Sequence, residues 1–131
     1  MARDFNRTDR IADQIQKDLA RLIQFEIKDP RLGMVTISHV RVAKDLGVAD
    51  IYITVLPLGD QEQEQAIKDA LSILNNASGF LRGELARQIK LRVMPSLRFH
   101  FDTTIERGRH LTSLIEKASR LENEKPQDEE G

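Results

Sequence analysis

The 131-residue chain contains no cysteine and no tryptophan, a single tyrosine and five phenylalanines. The lack of cysteine excludes disulfides, thiolate zinc sites and cysteine nucleophiles, and it is typical of a reducing compartment. The first residues lack the apolar run of a signal peptide, and the longest apolar stretch, residues 51–58, is too short to cross a bilayer. We therefore expect a cytoplasmic protein that makes no membrane contact.

The length of the chain and its 40% hydrophobic content suffice for one compact core but not for two domains of ordinary size. The formal net charge of -1 hides an uneven distribution of charge. Residues 80–120 carry nine basic and four acidic side chains, whereas residues 121–131 carry one basic and five acidic side chains. We expect one domain over residues 1–121 with a basic surface suited to a polyanion, followed by a disordered acidic tail over residues 122–131.

Hydrophobic periodicity predicts a first helix over about residues 9–28, with Thr8 as its N-cap. This helix should end before Pro30, because proline disfavours the helical conformation of the residue that precedes it. Two segments rich in β-branched residues, 34–42 and 48–56, follow on either side of a turn and predict a hairpin. The apolar parity changes within the first of these strands, which indicates a β-bulge.

A second helix is predicted over about residues 61–75, and residues 75–79 then interrupt its apolar face with weak helix formers. A third helix resumes directly afterwards, so we expect two helices that meet at a joint, with Gly79 at positive φ setting the angle between them. The last strand is predicted over residues 91–101, with apolar side chains at odd positions and basic ones at even positions. A final amphipathic helix is expected over about residues 104–121.

Four segments together resemble the ribosome-binding factor A family over residues 7–115. They are Arg7-Thr8-Asp9-Arg10-Ile11-Ala12, Lys28-Asp29-Pro30-Arg31-Leu32, Val40-Arg41-Val42-Ala43-Lys44-Asp45-Leu46 and Met94-Pro95-Ser96-Leu97-Arg98-Phe99-His100-Phe101-Asp102. The order of elements is that of the type II KH fold, an α+β arrangement of helix, strand, strand, helix, joint, helix and strand. The Gly-x-x-Gly loop with which KH domains clamp a nucleic-acid backbone is missing, and Ala77-Ser78-Gly79 matches the Ala-x-Gly joint of the family.

The resemblance implies a non-catalytic assembly factor that binds the free, immature small ribosomal subunit through its rRNA. It further implies that the factor acts late in maturation, assists the processing of precursor small-subunit rRNA and is important in the cold. An assembly GTPase that acts on the same subunit is the implied second partner, and we expect the chain to be a monomer. We assign no cofactor and no metal, since the sequence has no Walker pattern and His39 and His110 stand alone without metal-ligand spacing.

Two sets of basic residues are candidates for RNA binding. The first set lies in the third helix and in the segment after it, and it comprises Arg82, Arg87, Lys90, Arg92 and Arg98. The second set falls within about 40° on the polar face of the first helix, and it comprises Arg10, Lys17, Arg21 and Lys28. Either set could instead be an ordinary solvated surface. Because aromatic residues make up 5% of the chain, we expect recognition of phosphates and shape rather than of bases.

Two other functions remain open from the sequence. His100 and Asp102 share one face of a predicted strand, which would suit a small hydrolase or nuclease with an imidazole base, although no nucleophile is tied to them in the sequence. Alternatively, the basic stripe of the first helix could bind an acidic protein instead of RNA. The RNA-binding assembly factor is the interpretation that we favour.

Overall fold

The structure is a computed structural model that describes residues 7–104. The elements follow one another in the predicted order, within a compact unit that ends at Phe101. They are α1 (Arg7–Glu26), β1 (Met34–Val42), β2 (Val48–Leu56), α2 (Gln63–Asn76), α3 (Ser78–Gln88) and β3 (Ser96–Phe101). Residues 105–121 of the predicted last helix lie outside the described residues, and so does the whole of the proposed tail over residues 122–131. Both stay predictions, as does the domain boundary at residue 121.

The three strands form one sheet in the order β1-β2-β3, in which β1 is antiparallel to β2 and β2 is parallel to β3. The hairpin register pairs Ile37 with Ile53 and then His39 with Tyr52, so Ser38 is the extra residue of a β-bulge. The bulge predicted from the sequence is thus confirmed. Because of it, side chains before and after Ser38 reach the same face at positions of opposite parity.

The helices cover one face of this sheet. α1 packs on β1, α2 packs on β2 and β3, and α3 packs on β3 and on α1. Along β2, buried side chains alternate with partly exposed ones, as expected for a strand with one covered and one open face. The side chains that are most completely buried come from the covered face and from all three helices, and they include Ile15, Leu19, Ile51, Ile53, Leu74, Leu81 and Leu85.

Two predicted boundaries differ from the structure. α1 begins at Arg7 and ends at Glu26, so Thr8 lies within its first turn and Lys28 lies beyond its end. β3 begins at Ser96 rather than at residue 91, because Pro95 has no backbone N–H for a sheet hydrogen bond, whereas the Ser96 N–H donates to the Gly47 carbonyl at 3.0 Å. The predicted alternation therefore fails before the strand: Val93 is exposed.

The joint between α2 and α3 is present, but the positive φ predicted for Gly79 was wrong. The two helices are separated by Ala77 alone, which has φ -91° and ψ 4°, values that an alanine can adopt. Gly79 is a helical residue in the first turn of α3, and among the described glycines only Gly59 has a positive φ. A Cβ atom at Gly79 would meet nothing within 4 Å. Gly79 therefore does not set the angle between the helices.

Candidate nucleic-acid interface

Arg82 and Arg87 leave α3 in different directions, since five residues correspond to about 140° around a helix. The Arg82 guanidinium donates to the Met94 carbonyl from Nε at 3.0 Å and from Nη2 at 2.7 Å, and Nε also lies 3.2 Å from the Pro95 carbonyl. Arg87 is strongly exposed and pairs with Glu84 of its own helix at 3.5 Å. Arg82 thus ties α3 to the segment before β3, and the structure does not bring the two guanidinium groups together. Their role in RNA binding stays a prediction.

The remaining members of the first basic set are also dispersed. Lys90 and Arg92 are exposed between α3 and β3. Arg92 lines a pocket of about 390 Å³ together with Arg7 and Asp45. Arg98 lies on the open face of the sheet, where its Nε is 3.5 Å from Asp50 Oδ1. The first set is therefore divided between α3, the segment that follows it and the open face of the sheet.

The second set is partly assembled by α1. Arg10, Lys17 and Arg21 are exposed on the helix, and Arg21 Nη2 lies 2.8 Å from Oδ1 of the buried Asp18. Lys28 is exposed in the loop after α1. Arg21 is thus engaged in an ion pair within its own helix. This leaves Arg10, Lys17 and Lys28 as the more available cations of the set.

A groove of about 1250 Å³ runs between α1, the loop that follows it and β1, and both Lys17 and Lys28 line it. Its wall is mixed, with the apolar Ile23 and Leu32 beside the carboxylates of Asp13 and Asp29. The groove brings together two residues of the predicted stripe, Lys17 and Lys28. The groove thus places two cations of the second set beside two carboxylates.

The loop beside this groove is fixed by an ion pair between Asp29 and Arg31. Arg31 donates from its backbone N–H to Asp29 Oδ1 at 2.9 Å, from Nε to the same oxygen at 3.2 Å and from Nη2 to Oδ2 at 3.0 Å. These hydrogen bonds lower the pKa of Asp29 below its usual value, and Asp29 in turn raises the pKa of Arg31. Pro30 therefore lies within a locally hydrogen-bonded turn, four residues after the end of α1 at Glu26.

The open face of the sheet carries a row of rings that was not predicted from the sequence. His39, Tyr52 and His100 lie side by side on the three strands, because His39 is paired with Tyr52 and Tyr52 with His100. The ring centroids of His39 and Tyr52 are 5.9 Å apart, and those of Tyr52 and His100 are 5.2 Å apart, with planes inclined by about 30° in both pairs. The bulge in β1 was the available signal, since it turns His39 to the open face.

The next row on this face is charged. Arg41 is paired with Asp50, and Asp50 with Arg98. His100 Nε2 lies 2.8 Å from Asp50 Oδ1, so the imidazole contacts a carboxylate on the neighbouring strand. Asp102, the partner proposed from the sequence, accepts a hydrogen bond from the Thr104 N–H at 2.8 Å. The structure thus gives His100 an acidic neighbour that sequence spacing did not indicate.

Neither a metal site nor a membrane span is found within the described range. No group of three or more His, Cys, Asp or Glu side chains among residues 7–104 could hold a metal ion. The helices described there are also not long and apolar enough to cross a bilayer. The chemistry that these residues offer is charge, hydrogen bonding and ring stacking on an open surface.

The chain is similar in sequence and structure to known proteins. The family model described as ribosome-binding factor A matches residues 7–115. The ribosome-binding factor A of Hahella chejuensis is 59% identical over 119 residues, which cover 90% of this chain and 88% of that protein. A putative ribosome-binding factor A from Thermotoga maritima, solved by NMR, is 34% identical with a TM-score of 0.64, over 76% of this chain and 91% of that one.

A further similar structure is that of ribosome-binding factor A from Thermus thermophilus, a homology model fitted into a cryo-EM map of its complex with the 30S subunit. It is 31% identical, has a TM-score of 0.56 and covers 70% of this chain and 90% of its own. The matches span most of the chain and agree with the KH-like order of elements. This chain belongs to the ribosome-binding factor A family.

Proposed function

We propose that the protein binds the free, immature small ribosomal subunit through rRNA and assists its late maturation, including the processing of precursor rRNA, without catalysing a reaction. The observation that carries this proposal is family membership, since the Thermus thermophilus relative was fitted into a map of a complex with the 30S subunit. The proposal places the protein in the cytoplasm as a monomer. An assembly GTPase on the same subunit would supply any nucleotide-driven step.

The distribution of charge supports an RNA partner. Several basic side chains are exposed, namely Lys17, Lys28, Lys90 and Arg92. Contacts between basic side chains and phosphates supply much of the affinity of proteins for RNA. Lys17 and Lys28 line the groove beside α1, and Lys90 and Arg92 lie in the segment between α3 and β3. This arrangement suits a folded RNA that contacts the domain at more than one place.

The surroundings of His100 support binding over hydrolysis. Its side chain is 42% exposed on an open sheet face, whereas a general base normally works in a cleft that excludes water and holds a nucleophile. The large groove beside α1 is lined by no histidine. A His–Asp contact on an open surface suits hydrogen bonding to a ligand better than proton transfer.

Co-sedimentation with purified small subunits tests the proposal. Immature free subunits from a strain that lacks the protein should bind it, mature subunits should bind it less tightly, and the affinity should fall as salt rises. In the same strain, precursor small-subunit rRNA should accumulate at low temperature and disappear when the gene is restored. Loss of the complex on nuclease treatment is expected, whereas its survival would indicate a protein partner.

A separate assay addresses catalysis. Highly purified protein incubated with precursor rRNA should leave it intact over hours. Cleavage that disappears in His100→Ala would overturn the non-catalytic part of the proposal and favour a nuclease.

A further inference from the structure

The open face of the sheet carries two rows of side chains that no helix covers among residues 7–104. We call the six residues His39, Arg41, Asp50, Tyr52, Arg98 and His100 the outer sheet face. The ring row crosses all three strands, so its three rings form a continuous π-surface at the middle of the sheet. Such a row on an exposed sheet is the feature on which single-stranded nucleic acids stack their bases.

The charged row beside the rings favours an anionic ligand. Asp50 is the single acidic side chain of the outer sheet face, and both His100 and Arg98 contact its carboxylate, at 2.8 and 3.5 Å. Arg41 and Arg98 are both exposed and stand on the two edge strands. The face therefore presents two guanidinium groups against one carboxylate, and that carboxylate is shared between Arg98 and His100. Phosphate groups on either side of a stacked base could meet these cations.

The chemistry of the face also bears on the class of partner. Its two central rows contain no aliphatic side chain, and the exposed Met34 and Leu56 are confined to one end of the hairpin. The core of a protein–protein interface is usually apolar and depleted of charge. Rings next to guanidinium groups are instead the combination that holds unpaired nucleotides through stacking and phosphate contacts.

We propose that the outer sheet face is an RNA-binding surface on which unpaired bases stack against the His39–Tyr52–His100 row while Arg41 and Arg98 contact the adjoining phosphates. The inference rests on the proposed function, because it specifies unpaired nucleotides of the bound RNA as the ligand of this face. It also revises the expectation from composition, since a low aromatic content does not prevent three rings from being brought together by strand pairing.

The sequence offers a direct optical probe. Tyr52 is the only tyrosine and the chain has no tryptophan, so tyrosine fluorescence reports on this face alone. Titration with an eight-residue oligoadenylate should quench this fluorescence in proportion to binding, after correction with free N-acetyl-tyrosinamide at the same RNA concentrations. Unchanged fluorescence at saturating oligonucleotide would overturn the proposal.

Variants at the same position separate stacking from charge. With a labelled oligoadenylate followed by anisotropy, Tyr52→Thr should weaken binding at least about fivefold, since stacking of one base contributes about 1 kcal/mol or more. Tyr52→Phe keeps a six-membered aromatic ring and should bind within about twofold of the parent chain. Inorganic polyphosphate should bind all three proteins equally, because it has no bases. Equal oligoadenylate affinity of Tyr52→Thr and the parent would refute base stacking here.

Two controls accompany these measurements, one for the folding of the variants and one for the proposed function. Threonine suits a strand, and thermal unfolding checks that Tyr52→Thr is folded. His39→Thr on the edge strand is the second variant, and it should lose the same amount of oligoadenylate affinity.

Small-subunit binding is measured on the same proteins. Subunit binding that survives while the parent fails to bind oligoadenylate would refute the outer sheet face and leave the proposed function standing. Oligoadenylate binding that depends on Tyr52 in a protein that does not bind subunits would support the face and refute the proposed function. Loss of subunit binding in Tyr52→Thr with unchanged oligoadenylate affinity would assign the face to a protein partner and overturn the proposal.

Discussion

The two faces of the sheet are built from the same three strands, yet they differ in what their side chains contribute. On the covered face, Ile51 and Ile53 are fully buried beneath the helices, and their contribution is to stability. On the open face, Asp50 and Tyr52 occupy the alternate positions of the same strand and remain partly exposed. Strand alternation thus separates a set of residues that stabilises the fold from a neighbouring set that stays at the surface.

Adjacent substitutions on β2 should show this separation most strongly. Ile51→Ala removes a fully buried side chain and should lower the free energy of unfolding by about 3–4 kcal/mol. Tyr52→Thr, one residue along the strand, should lower it by less than about 1.5 kcal/mol, because its ring is partly exposed and packs beside His39 and His100 on the open face. Urea denaturation followed by circular dichroism measures both. A larger loss for Tyr52→Thr than for Ile51→Ala would reverse the assignment of the faces.

The fold could be predicted from the sequence more fully than the site because periodicity reports on burial. The alternation in β2 and the parity change at Ser38 follow from contact with the core, so the hairpin and its bulge were both predicted correctly. The ring row depends on which residue of one strand is opposite which residue of another. That register joins His39, Tyr52 and His100 across up to 61 positions of sequence, and no local pattern contains it.

Basic residues show the same difference between local and non-local information. The cluster after the joint was correctly seen as rich in positive charge, but the structure engages Arg82 with backbone carbonyls and directs Arg98 to the open face of the sheet. A count of charges along the chain does not distinguish a guanidinium that binds a ligand from one that ties two segments together. Only the geometry of the partners makes that distinction.

A close backbone approach at the start of the hairpin provides the next test. A Cβ atom at Gly33 would lie 2.4 Å from the Leu56 carbonyl oxygen at the end of β2, and backbone atoms cannot move aside easily. Gly33→Ala should therefore destabilise the domain by about 2–3 kcal/mol, within the range of overpacked sites. Gly83→Ala is the matched control, because a Cβ there meets nothing within 4 Å. If thermal unfolding shows the two variants to be equally stable, the close approach of Gly33 to β2 is wrong.

Replacing Arg82 and Arg87 singly distinguishes a structural from a binding role. Arg82→Ala removes the hydrogen bonds to the Met94 and Pro95 carbonyls and should lower stability by about 1–2 kcal/mol. Arg87→Ala removes an exposed pair with Glu84 and should change stability by less than about 0.5 kcal/mol. The salt dependence of subunit binding is the second measurement. If Arg87 contacts a phosphate, its variant should flatten the slope by about one contact, whereas Arg82→Ala should leave the slope unchanged. A flattened slope for Arg82→Ala in a folded protein would return that residue to the RNA-binding surface.

The smallest expected effects come from two glycines that differ in backbone conformation but not in available space. A Cβ atom at Gly79 or at Gly59 would meet nothing within 4 Å, so steric contact contributes to neither substitution. Gly79 has helical geometry in the first turn of α3, and alanine there should stabilise the domain by a few tenths to about 1 kcal/mol through helix propensity. Gly59 has φ +54°, a conformation that costs an L-residue about 1 kcal/mol, so Gly59→Ala should destabilise by about that amount. In chemical denaturation, the free energy of unfolding should rise for Gly79→Ala and fall for Gly59→Ala.

If Gly79→Ala destabilises as Gly59→Ala does, the joint needs a glycine after all and the helical assignment of Gly79 is wrong. If Gly79→Ala stabilises and subunit binding is unchanged, the joint is set by Ala77, and its glycine contributes neither to the angle between the helices nor to the surfaces that meet RNA.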